Sequence, residues 1–286
     1  MNRVSFDDKI LILGGNGFLG NGLLKGLIKS GFCKLYSGEH HHSQKIKGVN
    51  SLKLDLLNFK SLEKDFRQFS LIINCTGQMT EPINNCLRLN TLGISNLCQA
   101  VSKSNTKILQ ISTVAVYGTA QIVDENSPSN PETPYACCKA FAEYMLQKNL
   151  NPSNLSILRM SNLYGKSQKK GLMPYLIKSF KEGSTIQINN DGSLFRYFIH
   201  INDCTKIIVD FLKQDTPSGI FNLSGEEGYT ILDLVNLFKK NFKSTPNIEY
   251  SLLKPLENIT EIDTGKIKSV IKIKYSHNIN SFLSEA

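Results

Sequence analysis

Ile10-Leu11-Ile12-Leu13-Gly14-Gly15-Asn16-Gly17-Phe18-Leu19-Gly20 sets a short apolar run directly before a G-x-x-G-x-x-G triplet, and an amphipathic segment, Phe18 to Lys29, grows out of it. A buried strand, a glycine turn and a helix account for this order. Gly14 permits the tight turn, Gly17 lets the backbone come close to a pyrophosphate, and Gly20 lets the helix pack on the strand. The helix N-terminus then faces phosphates, which makes Gly14, Asn16, Gly17, Phe18, Leu19 and Gly20 candidate cofactor contacts.

Outward from this turn the rhythm repeats. Apolar runs at Lys34 to Tyr36, Ser51 to Leu54, Leu71 to Cys75 and Lys107 to Ile111 alternate with amphipathic segments at Leu62 to Phe69 and Ile83 to Val101. Strand and helix in alternation predict βαβ units and a parallel, doubly wound sheet of the Rossmann type, class α/β. Pro128, Pro131 and Pro134 mark a loop before a helix from Tyr135 to Lys148, and a strand follows at Leu155 to Arg159. Beyond Gly165 the rhythm changes to a helix at Met173 to Lys181, short strands near Thr185 to Ile188 and Tyr197 to Ile199, and helices near Asp203 to Leu212 and Thr230 to Lys240. The expected division is a nucleotide-binding part, residues 1–164, and a smaller substrate lobe, residues 165–286, with segments exchanged between them.

The 286 residues, 41% hydrophobic, suffice for one large core with a smaller lobe. No apolar run reaches the roughly 18 residues of a membrane span, and no signal peptide opens the chain, so a cytoplasmic protein is expected. The formal charge of +9 favours anionic partners or a solvated surface. Its lysines are dispersed and Trp is absent, so nucleic acid is not expected as a partner. Seven cysteines lie in apolar settings without a C-x-x-C pair and read as buried thiols. His40, His41 and His42 sit in a polar stretch with no further ligand at suitable spacing, so no metal site is expected.

Tyr135 and Lys139 are four residues apart at a helix start, hence on one face. A nearby ammonium favours the phenolate, lowering the pKa of Tyr135 so that it exchanges a proton with a substrate oxygen. Thr113 stands at the carboxyl end of the strand Lys107 to Ile111, where such sheets bind ligands. Y-x-x-x-K by itself also describes a surface pair.

Taken together, the glycine triplet, Ser112-Thr113 followed by Val116-Tyr117-Gly118, and Tyr135 with Lys139 resemble the extended short-chain dehydrogenase/reductase family, the nucleotide-sugar epimerases, dehydratases and ketoreductases. The resemblance covers about residues 8 to 240. It implies an enzyme with an NAD(P) cofactor, in which Tyr135 is the acid/base, Lys139 binds the nicotinamide ribose and tunes the tyrosine, and Thr113 bonds the substrate oxygen. It further implies that Asp55, with Leu56 beside it, contacts adenine, that Cys75-Thr76-Gly77 line the cofactor, and that Asn90 supports the central sheet. On the substrate side, Asn162 matches an asparagine at the substrate phosphates, and Arg196 matches an arginine that holds the nucleotide diphosphate. An exposed strand charge is the other reading of Arg196. His200, flanked by Ile199 and Ile201, reads as structural.

Two departures stand out. Val114-Ala115 occupy the place of the acidic pair of 4,6-dehydratases, which disfavours dehydration, and Ile262-Asp263-Thr264-Gly265-Lys266-Ile267 matches the usual terminal segment weakly. The expected function is 4-ketoreduction of an NDP-4-keto-6-deoxysugar. The alternatives are an NDP-sugar 4-epimerase with tightly held NAD and, from another class, a non-catalytic nucleotide sensor, a kind of protein that tends to lack the Tyr/Lys pair. The acid that reads the adenosine ribose belongs about 20 residues past the glycines, where Gly38 stands, which favours NADP(H) slightly. Glu39, one residue on, would return an acid to the ribose. The resemblance also implies a homodimer through the helices Ile83 to Val101 and Tyr135 to Lys148.

Overall fold

A computed structural model describes residues 4–39, 46–62, 66–77, 81–214, 217–254 and 256–285. His40, His41 and His42, the polar stretch in which no metal site is expected, lie outside them.

Along the chain, β1 (Ile10–Leu13) turns into α1 (Phe18–Lys29), and β2 (Leu35–Glu39), β3 (Val49–Lys53) and β4 (Leu71–Asn74) follow. A π-helical turn at Leu89–Gly93 joins α2 (Ile83–Arg88) to α3 (Ile94–Val101). Next come β5 (Lys107–Thr113), β6 (Ala120–Val123), α4 (Pro134–Asn149), β7 (Leu155–Met160), β8 (Asn162–Tyr164) and α5 (Leu172–Glu182). The remainder is β9 (Ile186–Asn189), β10 (Phe195–His200), α6 (Ile201–Leu212), β11 (Gly219–Leu223), β12 (Glu227–Thr230), α7 (Ile231–Phe242), β13 (Ile248–Ser251), β14 (Ile259–Ile262), α8 (Gly265–Val270) and α9 (Ile279–Ser284).

Seven strands form one parallel sheet in the order β11-β7-β5-β4-β1-β2-β3. β1 and β4 are buried at every residue, as a sheet covered on both faces requires. α1 and α6 cover one face through Leu23, Leu27, Ile208 and Phe211, and α3 and α4 cover the other through Leu97, Val101, Ala142 and Leu146. The strand order reverses between β1 and β4, which opens a crevice at their carboxyl ends. A separate core around Phe180, Ile186, Phe198 and Phe238 joins α5, α7 and α9 into a second lobe. Among the described residues no helix is long and apolar enough to cross a membrane.

The helix expected from Tyr135 starts with Thr133 as N-cap, its hydroxyl accepting from the Ala136 amide, and with Pro134 in the first turn. In the amphipathic stretch Leu62 to Phe69, the described residues do not show the expected helix. Short 3-10 turns stand at Phe59–Ser61 and Phe66–Gln68 instead, while Leu62, Phe66 and Phe69 still bury their side chains. The Ser61 hydroxyl bonds back to the carbonyls of Asp55 and Asn58, both at 2.8 Å, and so holds the chain in a tight turn.

Candidate active site

A cleft of about 970 Å³ runs from the glycine turn to the second lobe, and Thr113, Tyr135, Asn162 and Arg196 line it together with Gly14, Asn16, Gly17, Phe18, Leu19 and Gly20. Gly14 has φ +77°, and its carbonyl accepts from the Gly17 amide at 2.9 Å. A Cβ on Gly20 would stand 2.3 Å from the Gly14 oxygen, so α1 begins in contact with the turn. Gly17 caps α1 without a side-chain bond, and no acid occupies the first turn, so the helix presents amides to the cleft.

Cys75, Thr76 and Gly77 line the cleft after β4. Asn90 does not line it. Buried at 1% exposure, it donates to the Gly77 carbonyl at 3.2 Å and to the Cys86 carbonyl at 2.9 Å. Gly77 has φ +67° and would place a Cβ 2.4 Å from the Asn90 amide, so Asn90 sets the height of this loop from below. Asp55 accepts from the Leu57 amide at 2.9 Å in a turn after β3, and the carbonyl of buried Leu56 accepts from Asn96. Both lie outside the lining, as does Gly38, whose Cβ would meet Leu13 and Leu54 rather than the cleft. Glu39 is buried at the end of β2 and accepts from the Ser51 hydroxyl at 3.1 Å.

Thr113 ends β5, and its hydroxyl accepts from the Ala115 amide at 3.2 Å. Opposite, one face of α4 carries Tyr135, Lys139 and Glu143 on successive turns. Lys139 is wholly buried and donates to the Ile111 carbonyl at 2.7 Å. Burial pushes its pKa down to about 8, against the opposing charge of Glu143. Tyr135 differs from the sequence expectation. Burial first, then the thiol of Cys86 and the carboxylate of Glu257, raise its phenol well above the usual value, so it holds its proton. The Lys139 ammonium, held at the Ile111 carbonyl one turn along α4, does not outweigh this burial.

Beneath this face lies a network that the sequence did not reveal. Arg159 of β7 donates to Glu143 from Nε at 3.2 and 3.1 Å and from Nη2 at 2.7 Å, with both side chains almost fully buried. The Ser112 hydroxyl donates to the same carboxylate, and the guanidinium stacks 4.6 Å from the Tyr117 ring. Tyr117 donates in turn to Asn222 of β11 at 2.7 Å. The network thereby ties β5, α4, β7 and β11 together next to the catalytic candidates. The one trace of it in the sequence is that Glu143 continues the four-residue spacing of Tyr135 and Lys139.

On the lobe side, Asn162 is exposed and donates to the Tyr197 carbonyl at 3.1 Å. Arg196 is half-buried rather than an exposed strand charge. It donates to the carbonyls of Phe195, Glu257 and Leu256 at 3.0, 2.6 and 3.0 Å. His200 stays outside the lining; it caps α6 by accepting from the Asn202 amide and stacks on His277 with ring centroids 4.0 Å apart. Glu257, which lines the cleft, was not anticipated.

A parallel sheet that reverses at an open glycine turn, with a tyrosine and a threonine lining the crevice and a buried lysine one helical turn behind the tyrosine, defines a Rossmann-type enzyme of the short-chain dehydrogenase kind. The profile of the NAD dependent epimerase/dehydratase family matches residues 10–224, and the chain belongs to that family. It is 25% identical over 239 residues to the GDP-6-deoxy-D-talose 4-dehydrogenase of Aggregatibacter actinomycetemcomitans, a match covering 80% of this chain and 78% of that one. Identity is also 25%, over 305 residues, to the ADP-L-glycero-D-manno-heptose-6-epimerase of Brachyspira hyodysenteriae, covering 95% and 94%. In fold it is similar to the dTDP-glucose 4,6-dehydratase DesIV of Streptomyces venezuelae, solved with NAD, at a TM-score of 0.85 and 18% identity over 97% of this chain and 95% of that one.

Proposed function

We propose that this protein transfers a hydride between a nicotinamide dinucleotide and a nucleotide-linked sugar, and that its reaction is the reduction of an NDP-4-keto-6-deoxysugar. The observation that carries this reading is the convergence of Thr113, Tyr135 and Arg196 on the one cleft that begins at the glycine turn. The fit of the dinucleotide is supported by Gly20, whose hydrogen leaves α1 in contact with the turn where any Cβ would intrude. When bound, the cofactor supplies the hydride. Tyr135, whose phenol keeps its proton, gives that proton to the carbonyl oxygen of the substrate as the carbon is reduced, and regains one from solvent. Thr113 bonds the same oxygen. Lys139, held at the Ile111 carbonyl, places a positive charge near the phenolate left behind. Arg196 and Asn162 take the diphosphate. Val114 and Ala115, beside Thr113 in the cleft, offer no carboxylate for removing water from the sugar.

A 4-epimerase would use the same residues, and the match to a UDP-glucose 4-epimerase over 82% of this chain supports that second reading. Gly38 faces Leu13 and Leu54 and β2 ends at Glu39, so acceptance of NADPH at least as well as NADH rests on the sequence spacing alone. A face-to-face homodimer is supported by Leu87, Leu92, Phe141 and Tyr144, which stay 43 to 56% exposed on the two helical segments expected to pair. The deciding experiment offers NADH and NADPH with UDP-, dTDP-, GDP- and CDP-linked 4-keto sugars and follows reduced nicotinamide absorbance. Stoichiometric oxidation supports the reductase. Interconversion of C4 epimers without net oxidation establishes the epimerase, and no turnover of any sugar nucleotide refutes both.

A further inference from the structure

Glu257 is the only acid among the described residues that line the cleft. Its backbone sits at φ +59°, a left-handed conformation uncommon outside glycine, which persists only where the surroundings fix it. Here they fix every handle. The Glu257 amide donates to Glu132 Oε2 at 2.5 Å, its carbonyl accepts from Arg196 Nη1 at 2.6 Å, and its carboxylate accepts from the Thr133 hydroxyl. Thr133 in turn caps the helix that begins with Tyr135. A cap on Thr133 alone needs neither a charged group nor a strained backbone at the edge of the cleft. Burial raises the pKa of this carboxyl, Thr133 and Arg196 pull it back, and the charge of Glu257 acts on both the Tyr135 phenol and the Arg196 guanidinium. Glu257 is thus bonded through its carbonyl to the Arg196 guanidinium and through its carboxylate to Thr133, two residues before Tyr135, and all of Tyr135, Arg196 and Glu257 line the one cleft.

If Arg196 takes the diphosphate and Tyr135 the reacting carbon, the glycosyl ring that connects these two parts of the substrate crosses Glu257. A carboxylate accepts hydrogen bonds and does not donate them. We propose that Glu257 is a specificity residue whose carboxylate accepts a hydrogen bond from a hydroxyl of the sugar ring held between Arg196 and Tyr135. This inference rests on the nucleotide-sugar reading above. It assigns the affinity for the sugar, as distinct from the nucleotide, to a residue outside the Tyr/Lys/Thr set.

The test is calorimetric titration of the NAD-loaded protein with UDP, dTDP, GDP and CDP and with the glucose conjugate of each. Glu257→Gln keeps an acceptor for Thr133 and both backbone bonds but removes the charge. A hydrogen bond to a charged group is worth roughly 10- to 100-fold, so the preference for NDP-glucose over NDP should shrink by about that factor while NDP affinity holds. An unchanged ratio, or an equal loss for NDP and NDP-glucose, overturns the assignment. If no nucleotide or sugar nucleotide binds the wild type, the reading of the cleft itself falls and this inference with it. A check that needs no variant uses singly deoxygenated glucose conjugates on the wild-type protein. Affinity should drop by the same factor at one hydroxyl position, and an affinity indifferent to every hydroxyl overturns the proposal.

Discussion

Replacing Glu143 by Gln would leave the Arg159 guanidinium, 5% exposed, without its counter-charge. The magnitude follows from what the pair makes: three N···O contacts between 2.7 and 3.2 Å, both side chains below 7% exposure, and Arg159 Nη1 already without a partner, so no spare acceptor stands ready. Breaking one side of such a buried pair costs about 3–5 kcal/mol. At about 2–4 °C per kcal/mol for a chain of this size class, the melting temperature of Glu143→Gln should fall by about 6–20 °C. The double variant Glu143→Leu/Arg159→Leu should recover most of this, because neither charge is then buried. Its remaining deficit is the unpaired Ser112 hydroxyl, about 1–3 kcal/mol. Thermal unfolding followed by circular dichroism measures all three proteins. A Glu143→Gln loss under about 1 kcal/mol, or a double variant weaker than the single one, refutes the account of the network.

The pH dependence follows from Lys139, whose burial favours the neutral amine and brings its pKa down to about 8. The charged form is the working form, so kcat/KM of the free enzyme should fall as pH rises through about 8, and a profile that stays flat there contradicts it. Stability moves the opposite way: the unfolded chain keeps this proton up to about 10.4, so between those values the group adds stability as pH rises, readable from urea unfolding at a series of pH values. Gly20→Ala places a methyl 2.3 Å from the Gly14 oxygen and must separate α1 from its turn. Its Kd for NADH should rise by about tenfold or more by fluorescence titration, and an unchanged Kd would show that the turn does not hold the dinucleotide. Arg196→Ala should raise KM for the nucleotide sugar far more than KM for the nicotinamide cofactor, and equal effects would leave Arg196 as a brace for residues 256 and 257 only.

The parts of this molecule that were legible in the sequence are those whose constraint is local. Gly14, Gly17 and Gly20 announce a turn because their spacing serves one strand and one helix. Tyr135 and Lys139 share a face because four residues make about one helical turn. Glu143 continues the same face, yet its meaning depends on Arg159 of β7, which no spacing rule connects to it. Glu257 is further out of reach, since its conformation is set by Glu132 and Arg196, both far upstream in the chain. The pairing of β6 with β14 escaped for a related reason: Ile122 faces solvent at 64% exposure, and the alternation that marks a half-buried strand is absent. Among the described residues of Leu62 to Phe69, Leu62, Phe66 and Phe69 are buried as the periodicity implies, but Phe66–Gln68 forms a 3-10 turn rather than a turn of α-helix.

The claim on which the rest depends is that Tyr135 delivers the proton in a redox reaction on a sugar nucleotide. Tyr135→Phe keeps the ring in the cleft and removes only the hydroxyl. With whichever NDP-4-keto sugar the wild type accepts, nicotinamide-monitored turnover should fall by at least ~10²-fold, the usual loss of a general acid, while the Kd for the cofactor changes little. Turnover by Tyr135→Phe at the wild-type rate would contradict the account.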